Sequence, residues 1–120
     1  MADRMLLITW GTPVRGLEER GLEVFNDALG FMGRMQQEGR IEGFDVALLE
    51  PNSEMGGYIA VQGTAEQIAS MRADDEFRRN QVDASLVVDN LCHIEGFTNE
   101  GVSREMARYT EAISKVPQRA

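Results

Sequence analysis

The stretch Ser85 to Glu95 (SLVVDNLCHIE) holds neither Pro nor Gly, is rich in aliphatic and β-branched residues, and has helical patterns on either side. It reads as a strand, and it constrains the fold of this chain more than any other segment. Side chains along a strand alternate between two faces. Leu86, Val88, Asn90, Cys92 and Ile94 would share one face, and Val87, Asp89, Leu91, His93 and Glu95 the other. The first face is nearly all apolar and suits packing under helices. The second mixes apolar with ionisable groups, which fits a half-buried wall at a subunit interface or cavity better than a solvent face or a dry core.

The rest of the chain supplies neighbours for that strand. Arg4 to Trp10 (RMLLITW) is a short apolar run closed by Gly11-Thr12-Pro13, a first strand with both faces covered. From about Gly21 to Glu38 the period becomes helical. Leu22, Phe25, Leu29 and Met32 form one stripe beside Val24, Ala28, Phe31 and Met35, and Gly39 caps the end. Gly30 and Gly33 within this helix point to close contact with another backbone. Arg40 to Glu50 returns to alternation, ends at Pro51, and is followed by a short strand, Tyr58 to Gln62, that pairs back as a hairpin. Thr64 and Gln67 have the capping-box spacing, starting a helix that runs to about Arg72. Asp74 or Asp75 caps a second short turn carrying Phe77 and Val82. After the long strand, Thr98 to Lys115 is a helix with Val102, Met106, Tyr109 and Ile113 on one stripe, ended by Pro117.

The order is βαββαβ with an added C-terminal helix over 98–116, the α+β ferredoxin-like arrangement with a four-stranded antiparallel sheet. At 120 residues it makes one domain, with its core in 4–96. A lone domain of this kind solvates one sheet face and shows clean alternation. The first and last strands are too apolar on both faces for that, and each large side chain left exposed forfeits roughly 1.5–3 kcal/mol. One amphipathic helix does not span four strands, so a symmetric sheet-on-sheet homodimer is the economical cover.

This order of elements, with Arg72-Ala73-Asp74-Asp75-Glu76-Phe77 running into SLVVDNLCHIE, resembles the dimeric α/β barrel proteins over about residues 4–96. The resemblance implies the fold, the dimer and an uncharacterised bacterial branch. It does not imply one activity, because the group spans cofactor-free monooxygenases, isomerases and haem-handling proteins, and no catalytic motif of a characterised branch is matched.

Charge and cysteine content narrow the partners. The chain holds 20 Asp and Glu against 12 Lys and Arg, a net charge of −8, which opposes phosphate backbones and anionic membranes. No basic run exceeds Arg78-Arg79, no phosphate-binding glycine loop is present, and the sheet lacks the aromatic pair of RNA-binding relatives. One cysteine forms no internal disulfide, which fits a reducing, cytoplasmic setting, and Met5 to Ile8 is too short an apolar run for export or spanning.

His93, the only histidine, is the candidate general acid or base. Glu95 lies roughly 6–7 Å along the same face and Asp89 about 13 Å away, so Glu95 can tune it and Asp89 cannot form a simple dyad with it. The plainer reading is a polar interface histidine. A haem ligand has only the lone His for support, and one Cys with one His does not make a zinc site. Cys92, on the apolar face, reads as a buried structural thiol. Trp10 and Tyr58, at strand ends, would orient a ligand at a pocket mouth, or simply pack at the edge of the core. The expectation is a homodimer with a small apolar cavity in each subunit, acting on a small-molecule ligand without metal or cofactor. His93 would shuttle protons, and Trp10, Tyr58, Asp89 and Glu95 would contact the substrate in monooxygenase- or isomerase-type chemistry. The alternative is a non-catalytic ligand-binding or assembly protein whose polar sheet residues set the dimer register.

Overall fold

The computed structural model describes residues 2–117 and 119. The apolar run near the N-terminus forms β1 (Arg4–Trp10), followed by α1 (Glu18–Gln37), β2 (Gly43–Leu48), β3 (Gly57–Gly63), α2 (Ala65–Ala73), α3 (Asp75–Val87), β4 (Cys92–Phe97) and α4 (Glu100–Ser114). The strands make one antiparallel sheet in the order β2-β3-β1-β4, so β1 lies between β3 and β4. β2 and β4 are its edges, and the sheet of one chain is open rather than closed on itself. This is the βαββαβ architecture expected from the pattern of periods.

Register decides the two faces. Leu6 pairs across to Val61 and Glu95, and Ile8 to Ile59 and His93, so these six side chains share a face. Onto it pack Ala28, Phe31, Met32 and Met35 of α1, Ile68 and Met71 of α2, and Phe77 of α3. The opposite face carries Met5, Leu7 and Thr9 of β1, Tyr58 and Ala60 of β3, Ala47 of β2, and Cys92 and Ile94 of β4. Ile94 is 50% exposed there. Among the described residues no helix is long and apolar enough to cross a membrane.

Two sequence expectations are corrected. The stretch Ser85–Glu95 is not one strand. Its first residues end α3, Val88 to Leu91 form a connection in which Asn90 takes φ 52°, and only Cys92 onward is strand. The alternation assumed across the whole segment is therefore broken. His93 and Glu95 face the helices, while Cys92 is exposed on the outer face instead of being a buried thiol. Gly30 and Gly33 of α1 also meet no other backbone: Gly33 faces open space, and Gly30 nears only the end of Arg34.

The strand propensity of Ser85–Val88 loses to a helix nucleated further back. Thr64 and Gln67 close the expected capping box at 3.1 and 2.8 Å, starting α2. Asp74 then caps α3, its Oδ1 accepting from the amides of Glu76 at 2.9 Å and Phe77 at 3.3 Å, while Oδ2 accepts from Arg40 at 3.1 Å. From that start Phe77, Gln81, Ala84 and Val87 recur at spacings of four, three and three, one face of a helix.

Burial of Asp74 opposes its ionisation, but the Phe77 amide, Arg40 and the Glu76 amide outweigh it and hold the carboxyl below its usual 3.8. Asp74→Ala is expected to cost about 1 kcal/mol by removing the cap, read from the denaturant midpoint. Asp74→Asn keeps a capping oxygen but has no charge. A carboxyl with a depressed folded pKa stabilises above the unfolded value and loses that contribution as pH falls through the folded one. The advantage of the wild type over Asp74→Asn should therefore be present at pH 6 and vanish below pH 3.8. Parallel melting curves across that range check it.

Candidate functional site

At the Trp10 end of the sheet, α1 and α3 leave a cavity of about 520 Å³. Its floor is Ile8, Trp10 and Ile59, its walls Val24, Phe25 and Ala28 of α1 and Ala84 and Val87 of α3, with Leu91 closing one side. Trp10 meets Phe25 edge to face, ring centres 5.7 Å apart. Small residues explain the void: Gly21, Ala28 and Ala84 stand where larger side chains would fill it.

The rim is tied down by backbone pairing. Gly11 N–H donates to the Asp89 carbonyl and Asp89 N–H to the Thr12 carbonyl, both at 2.9 Å, and Val14 N–H donates to Val87 at 2.8 Å. The Asp89 carboxylate accepts from the Thr12 amide at 2.6 Å and the Thr12 hydroxyl at 3.0 Å. Across the mouth, Gly56 N–H donates to the Trp10 carbonyl at 2.7 Å, and a Cβ on Gly56 would strike the Gly11 carbonyl. Glycine is required for that approach.

Polar groups in the lining are few: Thr12, Glu18, Asn80 and Gln81. Gln81 connects the cavity to His93. The ring Nε2 of His93 lies 2.6 Å from Gln81 Oε1, an acceptor, so Nε2 carries the hydrogen. Gln81 Nε2 in turn donates to Asn80 Oδ1 at 2.9 Å, and Asn80 Nδ2 to the Val24 carbonyl at 3.1 Å. Both carboxamides are thereby fixed in orientation. Phe77 packs 5.9 Å from the His93 ring. Burial, and then the charge of Arg72, lower the His93 pKa below 6.5, leaving the ring neutral at pH 7.

The structure does not gather the five residues singled out from sequence into one site. Trp10 lines the cavity. His93 stands behind it, one hydrogen bond away through Gln81, and Asp89 braces the rim from outside. Glu95 is on the His93 face but pairs with Arg72 and with Arg4, the latter at 3.5 Å. Tyr58 lies on the opposite face of the sheet. Asn80 and Gln81 were missed because they were read as part of a short turn. The signal that would have found Gln81 is the Phe77–Gln81–Ala84–Val87 stripe.

No protein-family model and no curated protein matches the chain. Solved structures do. A dimeric ferredoxin-like protein of unknown function from Bacteroides fragilis NCTC 9343 is similar with a TM-score of 0.59 at 10% identity, over 79% of this chain and 96% of that one. A candidate antibiotic biosynthesis monooxygenase from Chloroflexus aurantiacus J-10-fl gives 0.56 at 11% identity, over 81% and 94%. The cofactor-independent oxygenase SnoaB from Streptomyces nogalater gives 0.51 at 16% identity, over 82% and 93%. At such identities the likeness establishes the fold alone.

A depressed histidine pKa favours the neutral ring in the folded state, so its contribution to stability is present above 6.5 and lost as pH falls toward the folded value. NMR titration of His93 should give a midpoint below 6.5. His93→Gln should remove the part of the stability change that occurs just below that pH. A midpoint at or above 6.5 would contradict the half-buried, Gln81-bonded neutral ring.

Proposed function

We propose that this protein is a homodimer in which each subunit binds a small, mainly apolar organic molecule in the cavity beside Trp10. The observation that carries the reading is the cavity itself. Protein interiors close-pack, and ligand pockets of roughly 300–1,000 Å³ are typically apolar with a few placed polar groups. A void of about 520 Å³, floored by Trp10 and Ile8 and edged by two oriented carboxamides, has that build. In this reading Trp10 and Phe25 stack against the ligand, while Asn80 and Gln81 meet its polar atom. Asp89 acts indirectly, by holding the Gly11–Thr12 rim.

The homodimer is supported by the outer sheet face, where Met5, Leu7, Ala60 and Ile94 lie together on a surface that suits a twin, and by the dimeric neighbour of the same fold. Tyr58, on that face, belongs to the seam rather than the cavity. A single exposed cysteine, Cys92, without a disulfide fits a reducing, cytoplasmic setting.

The second reading adds chemistry: a cofactor-independent oxygenation or isomerisation of the bound molecule. A fold neighbour that is itself a cofactor-independent oxygenase favours it. Here Glu18, the titratable group in the lining, would be the proton acceptor, and neutral His93, whose Nε2 already donates to Gln81, would hold that carboxamide toward the ligand. The binding reading needs neither.

A thermal-shift panel of small aromatic and alicyclic compounds separates these readings. A ligand at 100 times its Kd should add about 2.7 kcal/mol of stability, several degrees in Tm for a domain of this size. Ala84→Trp, which fills the cavity from α3, should abolish the shift and keep a cooperative melt. The binding reading is lost if no compound shifts Tm, or if Ala84→Trp leaves the shift intact. Turnover of a bound compound without added cofactor, lost in His93→Gln while binding persists, would establish the catalytic reading.

A further inference from the structure

The Trp10 cavity is charged with one sign. Among the described residues Glu18 is the sole charged group in its lining, with no Lys, Arg or His beside it. Glu18 Oε1 accepts from the Gly16 amide at 2.8 Å, which holds the exposed carboxylate at the mouth. No ion pair among the described residues takes up its charge. Arg20, two residues on, is committed to Glu23 at 3.1 Å and to Asp83 at 3.3 Å. Arg15, three residues before, is exposed and outside the lining. At the rim the Asp89 carboxylate, with its oxygens on Thr12, adds a second negative group.

The helix ends agree with that sign. α3 brings its carbonyl end to the cavity, where Ala84 and Val87 form the wall, and its last turn holds no basic residue to offset the negative end. α1 starts at the same mouth, but Glu18 and Glu19 in its first turn offset its positive end. An anion entering here meets carboxylates and no cation. A positive group instead meets Glu18, and then the rings of Trp10 and Phe25, whose π quadrupole attracts it. The net charge of −8 draws cations toward the molecule as a whole.

We propose that the ligand of this cavity is an organic ammonium ion, an amine with a compact aromatic or alicyclic body. Its ammonium pairs with Glu18 at the mouth, and its body lies against Trp10 and Phe25. Asn80 and Gln81 are left for a neutral polar atom, a hydroxyl or a carbonyl. Carboxylates and phosphates of similar size are selected against. The inference rests on the binding reading above and names the class of molecule bound.

Trp10 is the only tryptophan, so its indole N–H resonance reports on the cavity alone. The experiment follows that signal at neutral pH and low salt during titration with phenylpropylamine, phenylpropanol and phenylbutyrate. The three share a phenylpropyl frame and end in an ammonium, a hydroxyl and a carboxylate. The amine should bind with a Kd about fivefold below that of the alcohol, the scale of one exposed ion pair, and the carboxylate should bind most weakly. Glu18→Gln keeps an oxygen for the Gly16 amide and should bring amine and alcohol to equal affinity. Glu19→Gln, in the same turn but outside the lining, should leave the wild-type ratio. The ammonium inference is overturned if the carboxylate binds as tightly as the amine, or if the amine has no advantage over the alcohol. It is overturned equally if that advantage survives Glu18→Gln, as a general attraction to an acidic surface would, or is lost to the same extent in Glu19→Gln. In each of those cases a compound still binds at Trp10, and the cavity reading stands. If none of the three moves the Trp10 resonance, the cavity reading falls and the ammonium ligand with it.

Discussion

Pairing of β1 on both edges is the constraint from which the remaining structure follows. With β3 on one side and β4 on the other, its alternation is imposed on every neighbour, since a shift of one residue would send all its side chains to the opposite face. Leu6 and Ile8 therefore collect Val61, Ile59, Glu95 and His93 on the helix side. Met5, Leu7 and Thr9 collect Tyr58, Ala60, Cys92 and Ile94 on the other. A half-buried histidine and an exposed cysteine next to it in sequence are two consequences of one register.

Beneath the helices the packing is uneven along the sheet, and that unevenness makes the site. Toward its middle, Phe31 stacks near Phe77 with ring centres 6.0 Å apart, and Met32, Ile68 and Met71 fill the remaining space. Toward Trp10 the facing positions are Gly21, Ala28 and Ala84, too small to meet across the gap. α1 and α3 are still joined at the surface by Arg20 with Asp83 at 3.3 Å and by Arg34 with Glu76. The helices span the cavity without closing it. The Asp89–Thr12 clasp and the Gly56–Trp10 contact hold the mouth, so the opening belongs to the fold and not to a loose loop.

The polar end of the cavity shows how a residue can matter to a site it does not touch. Neutral His93 donates to Gln81, which leaves the Gln81 amide nitrogen for Asn80 and fixes both carboxamides. A charged ring beside Arg72 would be disfavoured, so burial and that neighbouring cation work in the same direction. Glu95, adjacent on the same face, has its charge taken up by Arg4 and Arg72 and is not available to raise the basicity of His93.

The sequence alone determined the order of elements, the span of β1, the capping box at Thr64 and the stripe of α4, because each rests on local period or local hydrogen bonding. It misplaced the strand in Ser85–Glu95, where aliphatic residues suit a strand or the end of a helix equally well and the Asp74 cap eleven residues upstream decides between them. That error carried His93 and Cys92 to the wrong faces. Only the tertiary structure decided which residues line a cavity, since a void between α1, α3 and the Trp10 end of the sheet exists where three distant elements fail to meet. No window of sequence contains that distance.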